Sequence, residues 1–284
     1  PDKESFQFEV LTLKDLFSRA SSLKPSIDKP HRVSFYQILY IVNGQGNHYI
    51  DFKPYRYTDD SLMFVSAGQV HAFEVNPQTD GFLLLFTEDF LTKNMVHSDI
   101  LTFSRLFNYH LYPPDIPPVG DSGSIFKTII DEIYNEYIFA ETFVKEEMLR
   151  TLLKLLLLKA ERLKRTLVPK EKNAEWMNRF IEFKDLLAAH VSEKRNAGDY
   201  ADMMYMSYHH LNKIVKSITG GTVKSFIDNF IILESKRQLT VSDIAIKELT
   251  YLMGFDEPTN FVKYFKKHTG KSPAQFRKEM TAQG

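Results

Sequence analysis

Two short sets of side chains near the carboxyl end have the types and the spacing of a hydrogen-bonding surface. The first set is His209, Asn212, Lys213 and Lys216; the second is Thr259, Val262, Lys263, Lys266 and Lys267. Residues three or four apart share one face of a helix, so each set forms a stripe. Asparagine can pair in bidentate fashion with adenine, lysine can donate to guanine, and valine can touch a thymine methyl. Lys216 lies further along and suits phosphate, which adds affinity without sequence information, and Lys266, Lys267 and Lys271 form a basic fringe on the second helix. Behind the first stripe, Leu211, Val215 and Ile218 recur at i, i+4 and i+7 and are expected to face a core. Phe261 and Phe265, joined by Tyr264, do the same behind the second.

The elements that position these stripes are written twice. Thr219-Gly220 recurs as Thr269-Gly270, and at the same offset of 50 residues Leu211 answers to Phe261, Lys213 to Lys263, Lys216 to Lys266 and Phe226 to Phe276. A fixed offset marks an internal repeat. Each copy reads as a short helix, a tight turn and a second helix. In the first copy these are Asp199–Tyr205, a turn near Met206 and Ser207–Thr219; in the second, Ile246–Met253, Gly254 and Glu257–Thr269. Ser207 suits an N-cap, where its hydroxyl meets a free backbone N–H. Two short helices joined by a turn are a helix-turn-helix, whose second helix enters the DNA major groove. A lysine-bearing helix face is ordinarily just a solvated surface. The repetition of both lysine positions and of Thr-Gly separates this case from that one.

The charge balance divides along the chain. The formal net charge is zero. Residues 1–165 hold 18 Lys and Arg against 22 Asp and Glu (−4), and residues 166–284 hold 18 against 14 (+4). A modestly basic half joined to an acidic half fits a nucleic-acid-binding domain beside one with another task. The 284 residues are enough for two domains. With no cysteine, disulfides and thiolate metal sites are excluded, which suits a reducing cytosol. No apolar run approaches the roughly 18 residues of a membrane helix. No basic-then-apolar leader is visible at Pro1, so a cytoplasmic location is expected.

Residues 1–30 read as irregular, broken by Pro25 and Pro30. From His31 to about Phe90 the texture is β: Phe35–Val42 ending at Asn43-Gly44, then Asn47–Phe52 ending near Pro54, Ser61–Val65, Val70–Val75 and Gly81–Phe86. Such a series predicts a sandwich or barrel. Glu88–Arg105 reads as helical, and Tyr112–Gly123, with four prolines, as a connection. Helices are expected at about Ser124–Phe139 and Glu141–Leu163. In the latter Met148, Leu149, Leu152, Leu153, Leu156 and Leu157 form a stripe, which Leu155 and Leu158 widen enough for both a core and a two-fold partner. The boundary is expected at Val168–Lys172, followed by an amphipathic helix over Glu175–His190 with Trp176, Phe180, Phe183 and Leu187 on one side.

No catalytic or metal set emerges. His48 has no second His or Glu nearby, and His71 reads as a turn or strand-edge residue. His209 and His210 point about 100° apart on a helix and do not chelate one ion. Gly44-Gln45-Gly46 is a hairpin signal. Aromatic strand residues such as Tyr36 and Tyr40 are ordinarily barrel filler; together with His71 they are the candidates for contact with a small ligand.

Gly254-Phe255, the helix ending Phe265-Lys266-Lys267, then Gly270, Ser272-Pro273 and Phe276-Arg277 together resemble the second motif of the AraC/XylS family of bacterial transcription regulators. The first copy matches less fully, and Ile231–Arg237 is similar to the family's linking helix. Phe230 stands where the family usually has Arg, and Thr250 where it has Ala, which bears on the scaffold's stability. Gly44-Gln45-Gly46, Gly68-Gln69-Val70-His71 and Gly81–Phe86 echo the family's cupin-type sensor domain. The resemblance implies an α+β chain of two domains. Residues 1–165 would be a cupin-like β-barrel (about 31–90) with helices (about 124–163), one of them for dimerisation. Residues 166–284 would be all-α, with helix-turn-helix motifs at about 199–220 and 246–270. It further implies a sequence-specific, dimeric, effector-responsive regulator whose partners are double-stranded DNA, a small-molecule effector, a second copy and RNA polymerase, with no cofactor. The competing expectation is a cupin metalloenzyme with an accessory helical domain.

Overall fold

The computed structural model describes residues 7–20, 26–93, 103, 105–118, 120, 122–140, 143–167 and 174–282. The chain forms two compact units, residues 1–170 and 171–284.

In the first unit the strands are β1 (Phe8–Thr12), β2 (His31–Arg32), β3 (Tyr36–Asn43), β4 (Gly46–Ile50), β5 (Lys53–Tyr57), β6 (Leu62–Val65), β7 (Val70–Phe73), β8 (Asp80–Phe86) and β9 (Asp115–Ile116). They form two antiparallel sheets, ordered β1-β8-β3-β6-β9 and β2-β7-β4-β5. The helices are α1 (Leu13–Ser18), α2 (Glu88–Thr92), α3 (Ser122–Ile138) and α4 (Lys145–Leu167). The five-stranded sheet is covered on both faces, which explains why Ile38–Val42 of β3 is apolar at successive positions rather than alternating. Leu39 and Ile41 pack with Phe73 and Tyr57 of the other sheet. Ile38 and Tyr40 face Phe126, Ile130 and Ile133 of α3 and Leu153, Leu156 and Leu157 of α4.

The expected irregular amino-terminal stretch is corrected. Phe8–Thr12 pairs with β8 in the register Val10↔Leu84, and Thr12 caps α1 by accepting the Asp15 N–H. The strand expected over Asn47–Phe52 stops at Ile50, because Asp51 and Phe52 both take positive φ (48° and 68°) and turn the chain into β5. Two successive positive-φ residues match the twist of a tight hairpin. Pro54 is tolerated inside β5 because that strand is the edge of its sheet. The proline-rich connection carries β9, which pairs Ile116 with Leu62. The helix expected to reach Arg105 ends as α2 at Thr92, and most of the remainder lies outside the described residues.

The second unit contains α5 (Ala174–His190), α6 (Ala197–Met203), α7 (Tyr208–Thr219), α8 (Val223–Val241), α9 (Ile246–Leu252), α10 (Pro258–Thr269) and α11 (Pro273–Ala282). Phe180 and Phe183 of α5 meet Phe226 of α8 at ring distances of 5.1 and 5.7 Å, and Phe183 meets Tyr200 edge-on at 5.7 Å. The second copy is closed by Phe255, Phe261, Phe265 and Phe276, each ring 5.4–6.0 Å from the next. Both departures from the family pattern are accommodated. Phe230 is buried in α8, and the Thr250 hydroxyl, fully buried, donates to the Ile246 carbonyl at 2.8 Å.

Candidate nucleic-acid interface

Each copy closes its turn with an equivalent backbone bond. Met206 N–H donates to the Ala201 carbonyl and Phe255 N–H to the Thr250 carbonyl, both at 3.0 Å. Tyr205 and Gly254 take the left-handed position, with φ of 54° and 73°. The turn is one residue longer in the second copy: Ala201 and Thr250 are 49 apart, whereas the N-caps Ser207 and Glu257 are 50 apart. The start of α7 is capped by the Ser207 hydroxyl, which accepts the His210 N–H at 3.2 Å. In α10 the cap makes no side-chain bond, and Pro258 at the first turn removes a donor that would otherwise be unmet.

The ends of both helices explain the Thr-Gly pair. Thr219 and Thr269 each donate a hydroxyl proton to the carbonyl four residues back, at 2.8 Å, and accept the N–H two residues on, at 3.1 and 3.3 Å. Gly220 and Gly270 then reverse the chain at φ of 76° and 78°.

Leu211, Ile214 and Val215 form the buried face of α7, so Ile214 takes the place expected for Ile218, which is half-buried. Phe261 and Phe265 are fully buried in α10. Tyr264 is half-buried, and its hydroxyl donates to Asp228 Oδ1 of α8 at 2.9 Å. Burial, reinforced by that carboxylate, pushes the phenol well above its usual titration range. On the outer face His209, Lys213, Lys216, Thr259, Lys263, Lys266 and Lys267 are exposed, and Asn212 and Val262 are half-buried. The Lys213 ammonium sits 5.6 Å from the Trp176 ring of α5, and His210 meets that ring edge-on at 6.4 Å. Asn212 Oδ1 accepts the Val223 N–H at 3.1 Å.

In the β-unit, alternation along β3 separates the ligand-contact candidates. Tyr36 and Tyr40 face the helices: Tyr36 packs against Phe86 and Phe107, and the Tyr40 hydroxyl donates to Asp60 Oδ1 at 2.7 Å. His71 is not at a turn or edge. It lies in β7, between β2 and β4, fully buried. Its Nδ1 is 3.2 Å from His48 Nε2, and its Nε2 is 3.2 Å from Gln37 Nε2. His31, across the register from His71, brings its ring within 4.3 Å. Burial holds all three imidazoles below their usual pKa, His48 down to about 3. Gln37 Oε1 and His48 Nδ1 end this chain without a hydrogen-bond partner among the described residues. Among the described residues, no group of three or more His, Asp or Glu is arranged to hold a metal ion. The polar chain was hidden from sequence reading because its members are 23 and 34 residues apart, and they meet only through the pairing of β4 with β7 and the packing of one sheet on the other.

A double antiparallel sheet followed by a unit with two helix-turn-helix motifs is the architecture of a helix-turn-helix protein with an added β domain. An AraC-like ligand binding domain matches residues 19–152, and a helix-turn-helix domain matches residues 200–279. The chain is 22% identical over 266 residues to the HTH-type transcriptional activator RhaS of Shigella sonnei, covering 89% of each. It is 29% identical over 105 residues to the bifunctional transcriptional activator/DNA repair enzyme AdaA of Bacillus subtilis, covering 37% of this chain and 48% of that relative. Among solved structures, ToxT of Vibrio cholerae aligns over 96% of this chain and 98% of its own, at 14% identity and a TM-score of 0.47. The chain belongs to the AraC family of transcription regulators. No helix among the described residues is long and apolar enough to cross a membrane.

Proposed function

We propose that this regulator reads double-stranded DNA with α7 and α10 in successive major-groove segments of one DNA face, about 34 Å apart per helical turn. His209 and Lys213 of α7, on the stripe that also carries Asn212, and Thr259, Val262 and Lys263 of α10 form the base-facing sets. Lys216, Lys266 and Lys267 hold phosphate. The observation that carries this reading is the matched exposure of Lys213 with Lys263 and of Lys216 with Lys266, on two helices whose other face is apolar and buried. Residues 166–284 would bind DNA while residues 1–165 sense and pair.

Pairing is assigned to the outer stripe of α4. Met148, Leu155 and Leu158 stay exposed while Leu149, Leu153, Leu156 and Leu157 are buried, so the widened apolar helix keeps a second face for its two-fold mate. A small effector between the sheets would meet the polar chain that runs from Gln37 through His71 to His48. RNA polymerase is the further partner of a regulator bound beside a promoter. The naming of RhaS as a transcriptional activator supports a regulator over an enzyme. Selection of bound DNA from a random pool tests the reading: a bipartite motif with parts about 10 base pairs apart is expected, and recovery of unenriched sequence overturns it.

A further inference from the structure

We propose that Asn212 is a positioning residue that locks recognition helix α7 onto linking helix α8, and that it does not read a base. The proposal rests on α7 being the recognition helix. The start of α8 presents backbone N–H groups with no intrahelical partner. The Thr222 hydroxyl takes the Ser225 N–H at 3.1 Å and leaves the N–H of Val223, a fully buried residue, to be met elsewhere. Asn212 Oδ1 meets it at 3.1 Å, across the junction between the two helices.

The second copy is the natural control. Fifty residues after Thr222 stands the equivalent cap Ser272, whose hydroxyl accepts the Gln275 N–H at 3.3 Å. Fifty residues after Val223 stands Pro273, the first residue of α11, which has no N–H to satisfy. Fifty residues after Asn212 stands Val262, which can accept nothing. Acceptor and donor are both present in one copy and both absent in the other. Bidentate pairing with adenine requires the carboxamide oxygen and nitrogen to face the groove together. In Asn212 the oxygen is turned inward and occupied. Base reading by α7 then falls to His209 and Lys213.

The test uses the full chain and four variants: Asn212→Val, Asn212→Asp, Val223→Pro, and Asn212→Val with Val223→Pro. Proline fits at 223, since Thr222 already holds the extended φ and ψ (−78° and 160°) required before proline, and position 223 opens a helix. Asn212→Val is expected to lower the melting temperature by about 2–4 °C. Asn212→Asp, which keeps the acceptor, should hold the wild-type value, and Val223→Pro should restore it in the Asn212→Val background. Base preference, measured by competition with every single-base variant of the selected site, should be unchanged in the double variant. A lost preference at one position that Val223→Pro does not restore overturns the proposal, as does an unaltered melting temperature in Asn212→Val. If the wild type selects no site at all, the reading of α7 as a recognition helix fails, while the melting cycle still decides the lock.

Discussion

The hydroxyl of Tyr264 donates to Asp228 Oδ1 at 2.9 Å, tying α10 to α8, the helix that also meets α7 through Asn212. Asp228 also accepts from Lys224, one turn back on α8, at 3.0 Å through its other carboxylate oxygen. Tyr264→Phe keeps the ring contacts with Phe255 and His268 and removes only the hydroxyl. It is expected to cost about 1–2 kcal/mol in urea unfolding, with the slope of the transition unchanged.

The two turns predict unequal responses to substitution. A Cβ on Gly254 would lie 2.5 Å from the Val191 carbonyl oxygen, and φ is 73°. Gly254→Ala should therefore destabilise by at least about 1–2 kcal/mol. Tyr205 holds the same left-handed backbone with its side chain 98% exposed. Tyr205→Gly relieves strain and adds unfolded-state freedom, and should change stability by less than about 1 kcal/mol. Thermal melting of the two variants side by side checks this.

Acid should weaken the β-unit through its buried histidines. His48 has a folded pKa lowered to about 3 from 6.5, principally by burial. Its neutral form is favoured on folding, so the unfolded chain binds more protons below pH 6.5. The stabilisation is full above that value and is lost as pH falls from 6.5 toward 3. The slope is on the order of 1 kcal/mol per pH unit for one histidine. Urea midpoints of wild type and His48→Gln between pH 7 and 5 check it: the variant should show the shallower fall.

If the outer stripe of α4 pairs two chains, Leu155→Glu places a charge in that interface while leaving the buried Leu153 and Leu156 untouched. Sedimentation should show dimer for the wild type and monomer for the variant, with an unchanged far-ultraviolet spectrum.

Much of the carboxyl-terminal half was legible because its signals are local. The Thr-Gly junction, the Ser207 cap and the glycine turn each act within five residues, so the repeat exposes them. The extra residue in the second turn was not legible, since it shows only when the Ala201 and Thr250 closures are aligned. In the β-unit the apolar run of β3 is buried on both faces, and its composition cannot say that Gln37 turns toward His71 while Tyr36 and Tyr40 turn toward the helices. The Asn212 bond was hidden for a similar reason: an asparagine on a helix stripe has the same sequence signature whether its amide faces outward or toward Val223.

The most direct test of two reading helices is random-pool selection repeated with Lys213→Ala and with Lys263→Ala. Each substitution should relax preference in one part of a bipartite site and leave the other part intact, at a cost of about 1–3 kcal/mol in specific binding. Lys216→Ala should weaken all sequences alike and reduce the salt slope by about 1. Identical motifs from all three variants and the wild type would contradict the assignment of these helices to the groove.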